Sequence, residues 1–161
     1  MGSLYPEEII KIVACASSSY ITKEEKTALN AIRNIKTWTP TSMAELQAVY
    51  GHDLQRLWSQ FMDLYFAYDD IFTSELPKIK CPVFVLHGEC DSIVFVEHAH
   101  YFKSNLPNAQ LYIHKKGSHY FHVKFHAVFN NMVQRFLLET DYIVTDTCNG
   151  NEVSVASTKS S

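Results

Sequence analysis

No apolar run in the 161 residues approaches the ~20 that a membrane span needs, so no transmembrane helix is expected. Met1 to Lys11 carries Glu7 and Glu8 and has no apolar core behind a basic start, so it does not read as a secretory signal. Neither sign of charge dominates: 14 Lys+Arg stand against 17 Asp+Glu, mixed along the chain. The formal net charge of -3 gives no footprint for nucleic acid or an anionic membrane surface. The four cysteines, Cys15, Cys81, Cys90 and Cys148, form no CxxC pair, and three lie in or beside strand-like segments. That pattern favours free thiols in a reducing compartment over a disulfide framework, and hence an intracellular chain, cytoplasmic or mitochondrial. No glycine-rich phosphate loop follows any strand-like segment, which removes the dinucleotide-binding rival among α/β folds.

What is present is a globular composition, 47% hydrophobic and 13% aromatic, in a chain long enough for one domain with a real core. The run Ile9 to Ala16 is mostly apolar and closes on Ser17, Ser18 and Ser19. Near-continuous runs of this kind suit parallel strands buried on both faces. Ahead of it, Leu4-Tyr5-Pro6-Glu7 reads as the end of a helix and a turn. Thr22 opens a helix with Glu24 and Glu25 in its first turn and Ala28, Ile32 and Ile35 on one face. It is expected to end near Trp38, because Pro40 disfavours helix at Thr39. Ser42 with Glu45 reads as a capping box for a short helix to Tyr50. A third helix is expected from Asp53 towards Phe72, with Leu57, Phe61, Leu64 and Tyr65 at helical intervals.

The strand pattern then resumes over Cys81 to Gly88, with a helix from Val96 to Asn105, a strand over Gln110 to His114 and a closing helix from Phe121 to Glu139. This alternation predicts an α/β architecture of about three parallel strands with right-handed crossovers. From Thr145 to Ser161 the composition turns to Ser, Thr, Asn and Gly without an aromatic residue, which predicts a disordered tail. The chain therefore divides into a first strand with its lead-in (1–21), a helical segment (22–75), an α/β core (76–140) and the tail (141–161).

Two loops following predicted strands are the places where open α/β sheets carry functional groups. One is His87-Gly88-Glu89-Cys90-Asp91 and the other Lys115-Lys116-Gly117-Ser118-His119-Tyr120. Asp91 alone reads as a turn or cap aspartate, and His119 alone as a loop histidine. Together, separated by one helix and one strand, they have the order of the acid and base of a Ser-His-Asp triad. Asp91 would accept the ring Nδ1–H and leave Nε2 to take a nucleophile's proton. His114, His119, His122 and His126 raise the question of metal, since His122 and His126 are spaced i, i+4, but there is no H-E-x-x-H and no paired cysteine. The aromatic helix with Trp58, Phe61 and Tyr65 reads equally as core packing and as pocket lining.

The stretch Leu76-Pro77-Lys78-Ile79-Lys80-Cys81-Pro82-Val83-Phe84-Val85-Leu86-His87-Gly88-Glu89-Cys90-Asp91 resembles the approach to the catalytic acid in the α/β-hydrolase superfamily. Gly117-Ser118-His119-Tyr120-Phe121-His122 resembles the histidine loop of its valacyclovir hydrolase (biphenyl hydrolase-like) group, and Tyr20 to Trp38 resembles the start of that group's cap. The likeness runs from about Leu4 to Leu138 and corresponds to the C-terminal part of such a hydrolase. It implies serine-dependent hydrolysis of small-molecule carboxylic esters, amino-acid esters among them, with Asp91 as acid, His119 as base and neither metal nor organic cofactor. The group's proline and apolar-Val-Pro turn after the acid are replaced here by Ser92-Ile93-Val94-Phe95. No G-x-S-x-G nucleophile elbow occurs in the 161 residues, so the chain is expected to be inactive alone. The alternative expectation is a non-catalytic isoform or interaction fragment that binds a partner, or itself, through an exposed first strand.

Overall fold

The structure, a computed structural model, describes residues 1–138. The expected tail, Cys148 and the expected last residue of the closing helix, Glu139, lie outside the described residues. The chain forms two compact units. One combines Met1–Ser19 with the segment from Phe72 onward, and the other is Tyr20–Ile71.

The first unit is built on three parallel strands, β1 (Ile12–Cys15), β2 (Val83–Gly88) and β3 (Ala109–His114), in the order β1-β2-β3. The register sets Ile12 beside Val83 and Val83 beside Ala109. Alternation then sorts the side chains onto two faces. Val83, Val85 and Ala109, with Ile12 and Ala14, pack with Ala99 and Phe102 of α4 (Glu97–Asn105) and with Leu76. Phe84 and Leu86, with Val13, Cys15 and Tyr112, pack against Phe121 of α5 (Phe121–Lys124) and Met132 and Phe136 of α6 (His126–Leu138). The central strand is buried along its whole length, as its largely apolar sequence predicts, His87 included.

β1 differs from expectation in length and burial. Only four residues pair, all are half-buried, and Ile10 stands 81% exposed ahead of them. Pro82 supplies the reason: its carbonyl accepts from the Ile12 N–H at 3.0 Å, but a proline has no N–H to carry the ladder further. The closing helix is also broken. Phe125, at φ −114° and ψ 37°, separates α5 from α6, and its ring stacks on His114 at 4.0 Å between centroids.

The second unit carries α1 (Lys23–Ala31), α2 (Pro40–Tyr50) and α3 (Leu54–Phe66). Thr22 caps α1 with both arms of a capping box, the Glu25 carboxylate accepting from the Thr22 N–H at 2.9 Å. The helix ends at Ala31, well short of Trp38, because tertiary partners capture the next residues. The Ile32 carbonyl accepts from the indoles of both Trp38 (2.8 Å) and Trp58 (3.0 Å). The Gln55 side chain bonds the Arg33 carbonyl and the Ile35 N–H. α2 starts before the expected capping box, since Thr39 is the cap, Pro40 occupies the first helical position and Ser42 donates its N–H to Thr39 Oγ1. In α3 the buried face is Leu54 and Met62, whereas Leu57, Phe61 and Leu64 of the expected face are exposed. The helix stops at Phe66, before Phe72.

Where β2 and β3 end, their exit loops meet backbone to backbone. Glu89 N–H donates to the His114 carbonyl at 3.0 Å, and Cys90 N–H to the Gly117 carbonyl at 2.8 Å. Two glycines permit the approach: a Cβ on Gly88 would sit 2.5 Å from the Gly117 carbonyl and 2.6 Å from that of Ser118. A Cβ on Gly117 would meet Phe121 Cβ at 2.8 Å. Gly88→Ala is therefore expected to destabilise the chain by about 3 kcal/mol or more through overpacking against rigid backbone. Denaturant titration of the two proteins measures this, and a loss within ordinary surface-substitution scatter would show that the loops can separate freely.

Candidate active site

Asp91 is placed by a tight turn off the end of β2, its N–H bonding the Gly88 carbonyl at 3.2 Å. Its side chain then makes an Asx turn with the residues that follow. Oδ1 accepts from the N–H groups of Ile93 (2.9 Å) and Val94 (3.0 Å). The second oxygen, Oδ2, accepts from His119 Nδ1–H at 2.9 Å. The structure thus brings together both residues singled out in the sequence, across a separation of 28 positions. Replacement of the group's proline-containing turn by Ser92-Ile93-Val94 leaves the carboxylate anchored, because two backbone N–H donors hold it.

The Asp91 carboxylate is fully shielded from solvent, while the His119 side chain keeps 24% exposure. Burial pushes the acid's pKa up, but the His119 bond and the Ile93 and Val94 N–H bonds outweigh it and hold Asp91 below the usual carboxylate range. A carboxylate can only accept, so Nδ1 of His119 carries the hydrogen, and in the neutral ring Nε2 is the basic nitrogen. Each such charge-assisted bond contributes roughly 1.5–3 kcal/mol, enough to hold ring orientation against thermal motion. Chemically, the pair can accept a proton at Nε2 and stabilise the resulting imidazolium.

Three further features were not singled out in the sequence. His87, the penultimate residue of β2, is wholly buried, with Nε2 bonded to the Val94 carbonyl at 2.8 Å and 3.4 Å from Asp91 Oδ2. Gly88 and Gly117 set the loop approach described above. The signal for His87 was available: it is a polar side chain inside an otherwise apolar buried strand.

The other histidines take different places. His114 stacks with Phe125 at 4.0 Å and Phe121 at 6.0 Å between centroids, and burial lowers its pKa. His122 lies on α5 and His126 opens α6, so their i, i+4 spacing does not fall on one continuous helix. Among the described residues no group of three or more His, Cys, Asp or Glu side chains is arranged to hold a metal ion. His122 Nδ1 instead lies 3.8 Å from the thiol of Cys15. Burial first, and then the Asp91 charge, push the Cys15 thiol up to about 11, so it stays protonated near neutral pH.

No protein-family model matches the chain. Over 141 residues it is 30% identical to the serine hydrolase BPHL of Mus musculus, and over 139 residues 28% identical to that of Homo sapiens. Each similarity covers 83% of this chain but 48% of the relative, so the chain spans about half the length of the curated relatives it matches. Among solved structures, it superposes on the meta-cleavage product hydrolase CumD of Pseudomonas fluorescens with a TM-score of 0.67 at 16% identity, covering 87% of this chain and 60% of that one. It superposes on CarC, a serine hydrolase involved in carbazole degradation, with a TM-score of 0.63 at 17% identity, covering 84% of this chain and 57% of that one. At such identities the structural likeness speaks for the fold alone, which is the α/β-hydrolase fold in part. By sequence the chain is thus similar to part of the BPHL serine hydrolases, and by structure it carries part of the α/β-hydrolase fold.

Proposed function

We propose that the chain is the acid–base portion of a serine ester hydrolase, with Asp91 as the acid and His119 as the general base, and that it does not itself supply the nucleophile. The observation that carries this reading is the 2.9 Å bond from His119 Nδ1 to the buried Asp91 carboxylate. A serine hydroxyl brought to Nε2 would lose its proton to His119 as it attacked an ester carbonyl, and Asp91 would stabilise the imidazolium formed. The described residues include no G-x-S-x-G elbow, and the nearby thiol of Cys15 is too weakly acidic to serve in its place. Without oxyanion donors, general-base hydrolysis would also lose about 3–4 kcal/mol of stabilisation per missing donor. The substrate class is a small-molecule carboxylic ester, by likeness to the BPHL serine hydrolases, and the chemistry uses no cofactor. The compartment proposed is intracellular, on the free thiols of Cys15, Cys81 and Cys90.

A second reading, an interaction fragment, is favoured by one observation: among the described residues β1 pairs only with β2, so its other edge has no strand beside it. Such an edge takes a further strand, from a second copy or from a nucleophile-bearing partner. Sedimentation of the purified chain is expected to show self-association. A monodisperse monomer with a cooperative melt would sink this reading.

Exposure of the chain to a fluorophosphonate probe, followed by intact mass, is expected to give no adduct, with no turnover of a p-nitrophenyl ester. A stoichiometric adduct that disappears in His119→Ala would place the nucleophile within these 161 residues and overturn the proposal. The acid's role also needs its charge. Because the folded-state pKa of Asp91 is lowered, its contribution to stability is present above the unfolded value of about 3.9 and is lost as pH falls through the folded value. The stability gap between the parent chain and Asp91→Asn is therefore expected to narrow on acidification from about pH 5 downward. Paired denaturation curves measure it, and a gap independent of pH would mean that the carboxylate is not held charged.

A further inference from the structure

The structure assigns His87 as the positioning residue of the acid: by fixing Val94 it aims the Asp91 carboxylate at His119. The inference rests on the Asp91–His119 reading above and names a residue that reading does not use.

Three observations converge on it. First, Val94 is held at both of its backbone groups. Its N–H donates to Asp91 Oδ1 at 3.0 Å, and its carbonyl accepts from His87 Nε2 at 2.8 Å. A displacement of Val94 therefore moves the carboxylate, and His87 is the side chain that opposes it. Second, the anchor is rigid. His87 lies in the central strand, is wholly buried and follows Phe84, Val85 and Leu86, all buried. Third, the ring's hydrogen-bonding pattern suits a neutral state. A carbonyl only accepts, so Nε2 carries the hydrogen, and Nδ1 is buried with no hydrogen-bond partner. Protonation would place a second N–H there, buried and unsatisfied. Burial accordingly lowers the His87 pKa, against the opposing pull of Val94 and Asp91 and with His119 and His98 adding to the lowering.

The neutral state matters to the acid. His87 Nε2 lies 3.4 Å from Asp91 Oδ2, the same oxygen that accepts from His119. A cationic His87 would put a positive charge beside that oxygen and offset the charge that orients His119. A neutral one directs its single Nε2–H to Val94 and leaves Oδ2 to His119. His87 is thus a donor that positions the acid without discharging it.

Two measurements on the full chain test this, and neither depends on turnover, so they remain informative if no hydrolase activity is ever found. In the unmodified chain, long-range ¹⁵N–¹H spectra are expected to show His87 as the neutral Nε2–H form at pH 7 and His119 carrying a hydrogen at Nδ1. A His87 that is cationic, or neutral with its hydrogen on Nδ1, overturns the assignment. In His87→Leu, the low-field His119 Nδ1–H resonance is expected to disappear and the Asp91 carboxyl titration to move up. In His87→Gln, whose amide restores a donor, both are expected to recover at least in part. A folded His87→Leu that keeps the resonance and the Asp91 titration would show that His87 is merely packing and overturn the assignment. If His87→Leu does not fold, the tautomer measurement and His87→Gln decide alone, and a His87→Gln chain that folds but lacks the resonance counts against it.

Discussion

The candidate site depends on a backbone contact between two loops that side chains would forbid. Gly88 and Gly117 approach until an added Cβ on the first would lie 2.5 Å from the carbonyl of the second. That approach lets Cys90 N–H reach the Gly117 carbonyl and brings the residue after each loop into range of the other. Asp91 and His119 meet because the peptide groups before them have already met. The dyad is therefore a consequence of strand geometry: β2 and β3 are parallel neighbours in register from Val83–Ala109 to Gly88–His114, so their ends emerge side by side.

Burial of the acid follows from the same arrangement and would be costly if it were incomplete. A solvent-shielded carboxylate without partners would shift towards the neutral form. Asp91 instead has a donor for each oxygen: two backbone N–H groups on Oδ1 and His119 on Oδ2. The net lowering of its pKa despite burial records that these bonds prevail. The contrast with Cys15 is instructive, since burial and the same Asp91 charge act together there and leave the thiol weakly acidic. One negative charge thus accepts the His119 Nδ1–H and disfavours an anion at Cys15.

The parts of this arrangement differ in how legible they are in sequence. β2 and β3 could be read because their apolar runs are bounded by Pro82 and Gly88 and by Pro107 and the lysines after His114. Asp91 and His119 could be read because each follows such a strand, and the interval between them holds one helix and one strand. The ends of α1 and α3 could not, although those of α2 at Tyr50 and α4 at Asn105 could. α1 stops at Ala31 because two indoles and an amide, from residues up to 26 positions away, take over the groups of residues 32 to 35. Helical propensity carries no trace of those partners. The face of α3 was misjudged for a related reason: its aromatic residues mark one side, whereas Leu54 and Met62 mark the buried side. The role of the two glycines also lay outside reach, since a glycine's need is set by what approaches it.

Among the described residues, every hydrogen bond that places Asp91 and His119 comes from residues 87 to 119, within one unit of the chain. None is drawn from β1 or from the helical unit. The pair's geometry is therefore set locally, whatever lies beside it. In a triad the serine contributes little to holding the other two members, because the carboxylate and the backbone around it orient the imidazole. In the proposed reading such a pair is preorganised before any substrate or hydroxyl arrives, because the donors to its carboxylate are fixed. A chain covering about half of its relatives' length can on these terms hold the Asp91–His119 bond by itself, because the contacts that place it are local to two adjacent strands.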